Sequence, residues 1–364
     1  MHRENELAIR LFGDIALNGE FAAEYNLEKL RLSVADLAER LGPADIRVAN
    51  WEAPLVGLDG ANPAKVVALS TNEEAARAIR PLNLTCVSLA NNHVFDETAS
   101  GLNRTITFLR GMGIATVGAG NTVEEARAPF VAERSGQAVV LLAYVDESTD
   151  PFHDPTKGMY VNEFDLRRAR EEIVSYSRPG ATVIVSMHWG FDYLAYPSPE
   201  QRHAARRMVE AGADIVFGHH PHCMQGHESW GRGHIFYSLG NFLCGTTAPA
   251  VSAPRVSRRT AVVTCRLVER AVAGISFRHL FRSGNELMDD RRGVGPKRLH
   301  ILSRRLALSD SDYARRWSMT KAFHLFVFRP LEFVRVHRRP LKILAALKLR
   351  HVTERFGFLR RLLH

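Results

Sequence analysis

Gly212-Ala213-Asp214-Ile215-Val216-Phe217-Gly218-His219-His220-Pro221-His222 is a short apolar run that meets a glycine and opens into histidines. Ile215 to Phe217 has the character of a buried strand, and Gly218 suits a sharp exit that a Cβ would resist. His220 and His222 stand two apart across a rigid proline, so both imidazoles can be aimed at one centre, as a metal ion requires. A loop histidine is more often a solvated polar residue, so His-x-His decides nothing alone. The rest of the chain has to supply the partners.

Working outward, apolar or β-branched runs predict strands over Ala8–Phe12, Ile46–Ala49, Thr85–Ala90, Ile114–Val117, Ala138–Val145, Thr182–Met187 and Ile235–Leu239. Thr260–Val268 alternates as a last, edge-like strand. Helical periodicity marks Asn26–Leu41, Glu73–Leu82, Thr105–Arg110, Asp165–Tyr176 and Pro199–Ala211. Strands alternating with helices predict an α/β fold.

Polar residues fall just past these strands. Asp14 follows the first, and Glu52 follows the second in a turn that Pro54 keeps from becoming helix. Asn92 and His93 follow the third, and His188 follows Thr182–Met187. Taken singly, Asp14 reads equally as a turn residue, and Asn91-Asn92-His93 as an Asx-turn with a solvated histidine. Five strand ends that all finish in potential ligands point instead to one polar centre along a sheet edge. Carboxylate, amide and imidazole together suit divalent Mn, Fe, Zn or Co. Gly118-Ala119-Gly120 lacks the third glycine of a dinucleotide fingerprint and is read as a tight turn.

Composition sets the frame. The chain has 364 residues, 46% hydrophobic and 24% charged, which suits a globular domain with an appendage. Cys86, Cys223, Cys244 and Cys265 are scattered with no C-x-x-C pair, pointing to a reducing compartment. Met1 to Leu11 lacks the layout of a signal peptide, and no uncharged stretch reaches transmembrane length, so a cytoplasmic protein is expected. Charge is divided: residues 255–364 carry 26 Lys+Arg against 8 Asp+Glu, and the first 254 carry 22 against 31. Two regions of opposite charge imply two jobs.

Seven motifs then coincide in order and spacing. They are Gly13-Asp14, Asn50-x-Glu52-x-Pro54, Leu89-Ala90-Asn91-Asn92-His93-x-x-Asp96, Gly118-Ala119-Gly120-Asn121, His188-Trp189-Gly190-x-Asp192-Tyr193, Gly212-Ala213-Asp214 through Gly218-x-His220-Pro221-His222, and Tyr237-Ser238-Leu239-Gly240-Asn241-Phe242. Together, over residues 7 to 245, they resemble the CapA family of capsule and poly-γ-glutamate biosynthesis proteins, within the calcineurin-like metallophosphatase superfamily. The resemblance implies a four-layer α/β/β/α sandwich and two divalent metal ions (Mn, Fe or Zn). It implies Glu52 as the bridging carboxylate, Asn92, His188 and His220 on one ion, and Asp14 and His222 on the other. His93, with Asp96 in the same motif, takes the catalytic place of leaving-group protonation or phosphate orientation. Ala16 stands where the superfamily usually has a histidine, which leaves one metal position a ligand short. Glu52 replaces the usual aspartate and Asp192 a more common glutamate, while His219, at a position commonly small, is expected to face solvent.

The expected domains are 7–270, the CapA-like metallophosphatase unit, and 271–364, a basic and mainly helical extension. Within the latter, Phe323 to Pro330 is aromatic-rich, and Leu341 to Leu363 reads as a basic amphipathic helix. It suits a packed helical layer, or peripheral attachment at the anionic inner membrane surface. No recognition motif supports nucleic-acid binding. The function expected is a metal-dependent, phosphoesterase-like hydrolase of capsule or cell-envelope polymer metabolism, acting on a phosphoester or an anionic polymer. The alternative is a non-catalytic module that handles or anchors such a polymer.

Overall fold

The computed structural model describes residues 6–23, 26–65, 67–134, 136–245, 255–268, 271–284 and 286–328. Its first half runs β1 (Glu6–Ala16), α1 (Leu27–Leu41), β2 (Ile46–Trp51), α2 (Glu73–Arg77), β3 (Cys86–Ser88), α3 (Thr98–Gly111) and β4 (Ala115–Val117). It continues with β5 (Ala119–Gly120), α4 (Val123–Arg127), β6 (Phe130–Arg134), β7 (Gln137–Val145), β8 (Tyr160–Val161) and α5 (Leu166–Tyr176). Then come β9 (Ala181–His188), α6 (Pro199–Ala211), β10 (Ile215–His219), β11 (His227–Trp230), β12 (Gly233–Phe236) and β13 (Asn241–Cys244). The described chain closes with β14 (Arg259–Val268), β15 (Ala271–Ser283), β16 (Glu286–Asp289), α7 (Val294–Leu306), α8 (Asp310–Phe323) and a π-helical turn, His324–Phe328.

Two sheets dominate. One has the order β16-β15-β14-β1-β2-β3-β4, with β13 also pairing β1, and the other has the order β11-β12-β10-β9-β7-β6. They pack face to face, and the period-2 alternation of the strands shows how. Val139, Leu141, Ala143 and Val145 of β7, Ile184 of β9, and Ile215 and Phe217 of β10 join the core that contains β1, β2 and β3. The intervening Leu142, Tyr144, Val183, Val185, Met187 and Val216 face a second core with α5 and α6. On the far side, Leu30, Val34 and Leu37 of α1 and Leu102 and Leu109 of α3 cover the first sheet. The result is the expected four-layer α/β/β/α sandwich. Runs buried on both faces stay apolar throughout, which makes them legible as strands.

Three expectations are corrected. The strand Thr260–Val268 is not an edge: β14 lies between β1 and β15 and pairs antiparallel with both. Residues 271–289, placed in the helical extension, instead add β15 and β16 to the first sheet, because their half-exposed alternation is that of an outer strand. Gly218 is not an exit residue but part of β10. A Cβ there would stand 2.0 Å from the Tyr237 carbonyl oxygen and 2.5 Å from Trp189 Nε1, so the glycine serves close packing.

The basic extension begins as a packed layer. Leu306 and Tyr313, from α7 and α8, are buried in the second core. The Tyr313 hydroxyl donates to the Pro197 carbonyl at 2.8 Å, and the Arg202 guanidinium stacks on its ring at 4.1 Å. The helix expected over Leu341–Leu363 lies outside the described residues. Among the described residues no helix is long and apolar enough to cross a membrane.

Candidate metal centre

The strands deliver their polar ends to one place. Asp14 lies within β1, not past it, because the ladder continues there: Asp14 is paired with Asn50 of β2 on one side and Asn241 of β13 on the other. A bulge follows between Asp14 and Ile15. Its carboxylate is fully buried, accepts from Asn50 Nδ2 at 2.9 Å, and lies 2.9 Å from His219 Nδ1. Burial alone would raise its pKa, but His219, the charge of His222 and the Asn50 amide together hold it below the ordinary value.

Glu52 follows β2 directly and is also fully buried. Neither of its carboxylate oxygens has a hydrogen-bond partner. Burial, and then the charges of Asp14, Asp192 and Asp96, push its pKa well above the ordinary carboxylate range. An unpartnered buried carboxylate costs on the order of several kcal/mol unless something neutralises it. An oxygen of Glu52, an oxygen of Asp14 and a ring nitrogen of His188 lie within 4.8 Å of one another. That donor set is what a divalent cation binds.

His188 closes β9 beside His219 of β10, and Asn92 Oδ1 lies 2.9 Å from His188 Nε2. Burial, and then the neighbouring histidines, push the His188 pKa well down. His220, also buried, is brought down to about 4 mainly by burial. Both are neutral near pH 7, the form in which imidazole ligates. The loop after β10 is bent to present His220 and His222: φ is 90° at His220, 54° at His222 and 59° at the facing Tyr193, whose N–H donates to the Pro221 carbonyl at 2.7 Å. Positive φ in non-glycine residues costs about 1–3 kcal/mol each and persists where the surroundings impose it. His220, His222 and Asp192 form a second group within 4.8 Å, and Glu52, His222 and Cys244 a third. His222 Nδ1 lies 2.8 Å from Asn241 Oδ1.

His93 sits at the rim, partly exposed. Its Nδ1 lies 2.6 Å from Asp96 Oδ2, which also accepts from the Leu69 N–H at 2.7 Å. A carboxylate accepts only, so Nδ1 carries the proton and Nε2 is left for a substrate. Lys65 donates to the Asn92 carbonyl at 2.7 Å and lies 3.6 Å from Asp96 Oδ1.

The structure therefore gathers Asp14, Glu52, Asn92, His188, His220 and His222 at one edge, with His93 and Asp96 beside them. His219 is a correction. Expected in solvent, it is 1% exposed, because it is the last residue of β10 and its ring turns inward to Asp14. Asp14 and His188, assigned to different ions by the resemblance, share one group with Glu52. Asn50 and Asn241 lie inside the quoted motifs without a role there, and only the strand pairing reveals them as the flanks of Asp14. Lys65 and Cys244 carry no readable signal in the sequence.

A two-sheet α/β sandwich with buried carboxylates and neutral imidazoles gathered at its strand ends defines the class: a protein with a candidate divalent-metal centre. Residues 8–246 match the family model described as bacterial capsule synthesis protein PGA_cap, and the chain belongs to that family. It is 31% identical over 250 residues to the capsule biosynthesis protein CapA of Bacillus anthracis, covering 66% of this chain and 61% of that one. To the PGA biosynthesis protein CapA of Bacillus subtilis (strain 168) it is 30% identical over 245 residues, covering 66% and 64%. The chain thus spans less than two thirds of the length of these curated relatives. Among solved structures, a hypothetical protein from Thermus thermophilus aligns with a TM-score of 0.47 at 15% identity, covering 76% of this chain and 100% of that one. A score that low adds nothing to the family match.

Proposed function

We propose that this chain is a metal-dependent hydrolase of phosphoesterase type, acting in the synthesis or processing of an anionic capsule polymer such as poly-γ-glutamate. One observation carries the reading. Glu52 is fully buried with both oxygens unpartnered, and Asp14 and His188 offer ligand atoms within 4.8 Å. A bound cation would neutralise such a group, as protonation does in the absence of metal. Asp14, Glu52, Asn92, His188, His220 and His222 are the residues that would hold two divalent ions. Bound there, such ions supply an activated water and offset developing negative charge. As general acid His93 would act as the imidazolium, its Nδ1–H held by Asp96, donating from Nε2 to the substrate and passing that Nε2 proton to the leaving oxygen. The names of the curated relatives, capsule and PGA biosynthesis proteins, favour an anionic polymer or one of its activated precursors as substrate.

The test is hydrolysis of bis(p-nitrophenyl) phosphate by metal-free protein reloaded with Mn or Zn, beside His220→Ala. Metal-dependent release that the variant loses supports the proposal. A loaded protein that releases nothing from phosphodiesters or phosphomonoesters would transfer the case to a second reading, a polymer-handling module. The 26 Lys+Arg of residues 255–364 favour that reading, which requires polyglutamate binding without metal.

A further inference from the structure

Cys244 is one of four buried cysteines that form no disulfide. A buried free cysteine is usually a small hydrophobe, and Cys86, Cys223 and Cys265 fit that description. Burial pushes each of their thiol pKa values up, to about 12 for Cys223 and Cys265. Cys244 differs in its neighbours. Its Sγ, an oxygen of Glu52 and a ring nitrogen of His222 lie within 4.8 Å of one another. Its hydrogen-bond contact to the Gly245 carbonyl is long, at 3.8 Å. Across the parallel β1–β13 pairing Cys244 is in register with Ala16, and the two side chains pack together with Ala53 and Leu69. Ala16 is the position whose side chain offers no ligand.

We propose that Cys244 is a metal ligand: with His222 and Glu52 it forms a second, softer half of the centre, supplying from β13 the donor that Ala16 of β1 lacks. This rests on the metal-centre reading above and adds a residue and a metal preference to it. Three lines converge. Glu52 brings oxygens without a hydrogen-bond partner into this part of the site, with His188 Nε2 standing off at 3.7 Å from Oε1. His222 is fixed through Nδ1 by Asn241, the first residue of the strand that ends at Cys244, which leaves Nε2 as its ligating atom. Thiolate, imidazole and carboxylate together are a zinc donor set, whereas a site of oxygens and imidazoles alone suits manganese. The two halves would then differ: Asp14, Glu52 and His188 form a harder site, and Glu52, His222 and Cys244 a softer one, with Glu52 common to both.

Cobalt(II) tests this directly, because a thiolate ligand gives a charge-transfer absorption in the near ultraviolet that nitrogen and oxygen ligands do not. Full-length metal-free protein is titrated with Co(II) and then displaced with Zn(II), for wild type, Cys244→Ser and Cys223→Ser. The expected result is a charge-transfer band in wild type and Cys223→Ser that is absent from Cys244→Ser. Zinc affinity of one of two equivalents should fall at least about 10-fold in Cys244→Ser, the loss typical when a metal's surroundings are cut back. Cobalt bound with visible ligand-field bands but no thiolate band, or a band that persists in Cys244→Ser, overturns the assignment of Cys244 and leaves the metal centre standing. No cobalt bound at all overturns both. Should Cys244→Ser not fold, wild type alone suffices. Alkylation of Cys244 followed by mass spectrometry should be slowed by zinc, and equal labelling with and without zinc refutes the proposal.

Discussion

Replacing Glu52 by glutamine removes a charge without changing shape, and the structure sets the size of the effect. The Glu52 and Asp14 oxygens lie within 4.8 Å, both side chains fully buried. Two like charges at that spacing repel by about 3 kcal/mol or slightly more at an effective dielectric near 20. Protonation of Glu52 relieves part of this, which is the sense of its raised pKa. A carboxyl group whose pKa is raised by folding holds its proton more tightly in the native state. Its presence therefore weakens the fold as pH rises through and above the ordinary glutamate range. In chelator, near neutral pH, Glu52→Gln should therefore be more stable than wild type by roughly 1–3 kcal/mol, up to that repulsion. Divalent metal offsets the difference: at a hundred times its dissociation constant it stabilises wild type by about 2.7 kcal/mol and the variant far less. Urea denaturation with chelator and with Mn or Zn measures both. A variant less stable than wild type in chelator, or stabilised equally by metal, refutes the claim that Glu52 waits for a cation.

Other expectations follow from the same geometry. His93→Ala should lower turnover of a phosphodiester about 10²–10⁴-fold, the range for loss of a positioned proton donor, with an unchanged circular dichroism spectrum. Gly218→Ala should be among the most damaging small substitutions, costing more than about 3 kcal/mol in urea denaturation, because its Cβ would meet the Tyr237 carbonyl oxygen at 2.0 Å. His227 is packed on Phe236 and its pKa is brought down to about 4, mainly by burial and then by His234. The native state thus binds fewer protons than the unfolded chain, so stability should fall as pH drops from about 6.5 towards 4, by up to about 1.4 kcal/mol per unit. His227→Phe should flatten that part of the stability–pH curve, and an unaltered slope would count against the assignment.

Much of this is legible because β7, β9 and β10 are buried on both faces and therefore read as largely apolar runs that give way at Asp146, His188 and His219. Once strand ends are visible, so are the residues they deliver. What escapes depends on pairing across long sequence distances. Asp14 reads as a turn residue until Asn50 and Asn241 are seen continuing the ladder on both its sides. His219 reads as solvent-facing because nothing in His219-His220-Pro221-His222 says which imidazole the strand's pleat turns inward; Asp14, far away in the chain, decides it. The division at residue 270 falls just after the last expected strand, Thr260–Val268, whereas the sheet runs on: β15 is basic in part and half-exposed, yet hydrogen-bonded along β14. Cys244 is not readable at all from sequence, since its distinction is the register with Ala16.

The measurement that bears most directly on the account is metal content at equilibrium. Metal-free wild type and His220→Ala would be dialysed against Mn and against Zn and analysed for bound metal. The account predicts about two equivalents in wild type and fewer in the variant, as expected for a two-ion hydrolytic site. Protein that binds no divalent ion under either condition, while remaining folded, would contradict it.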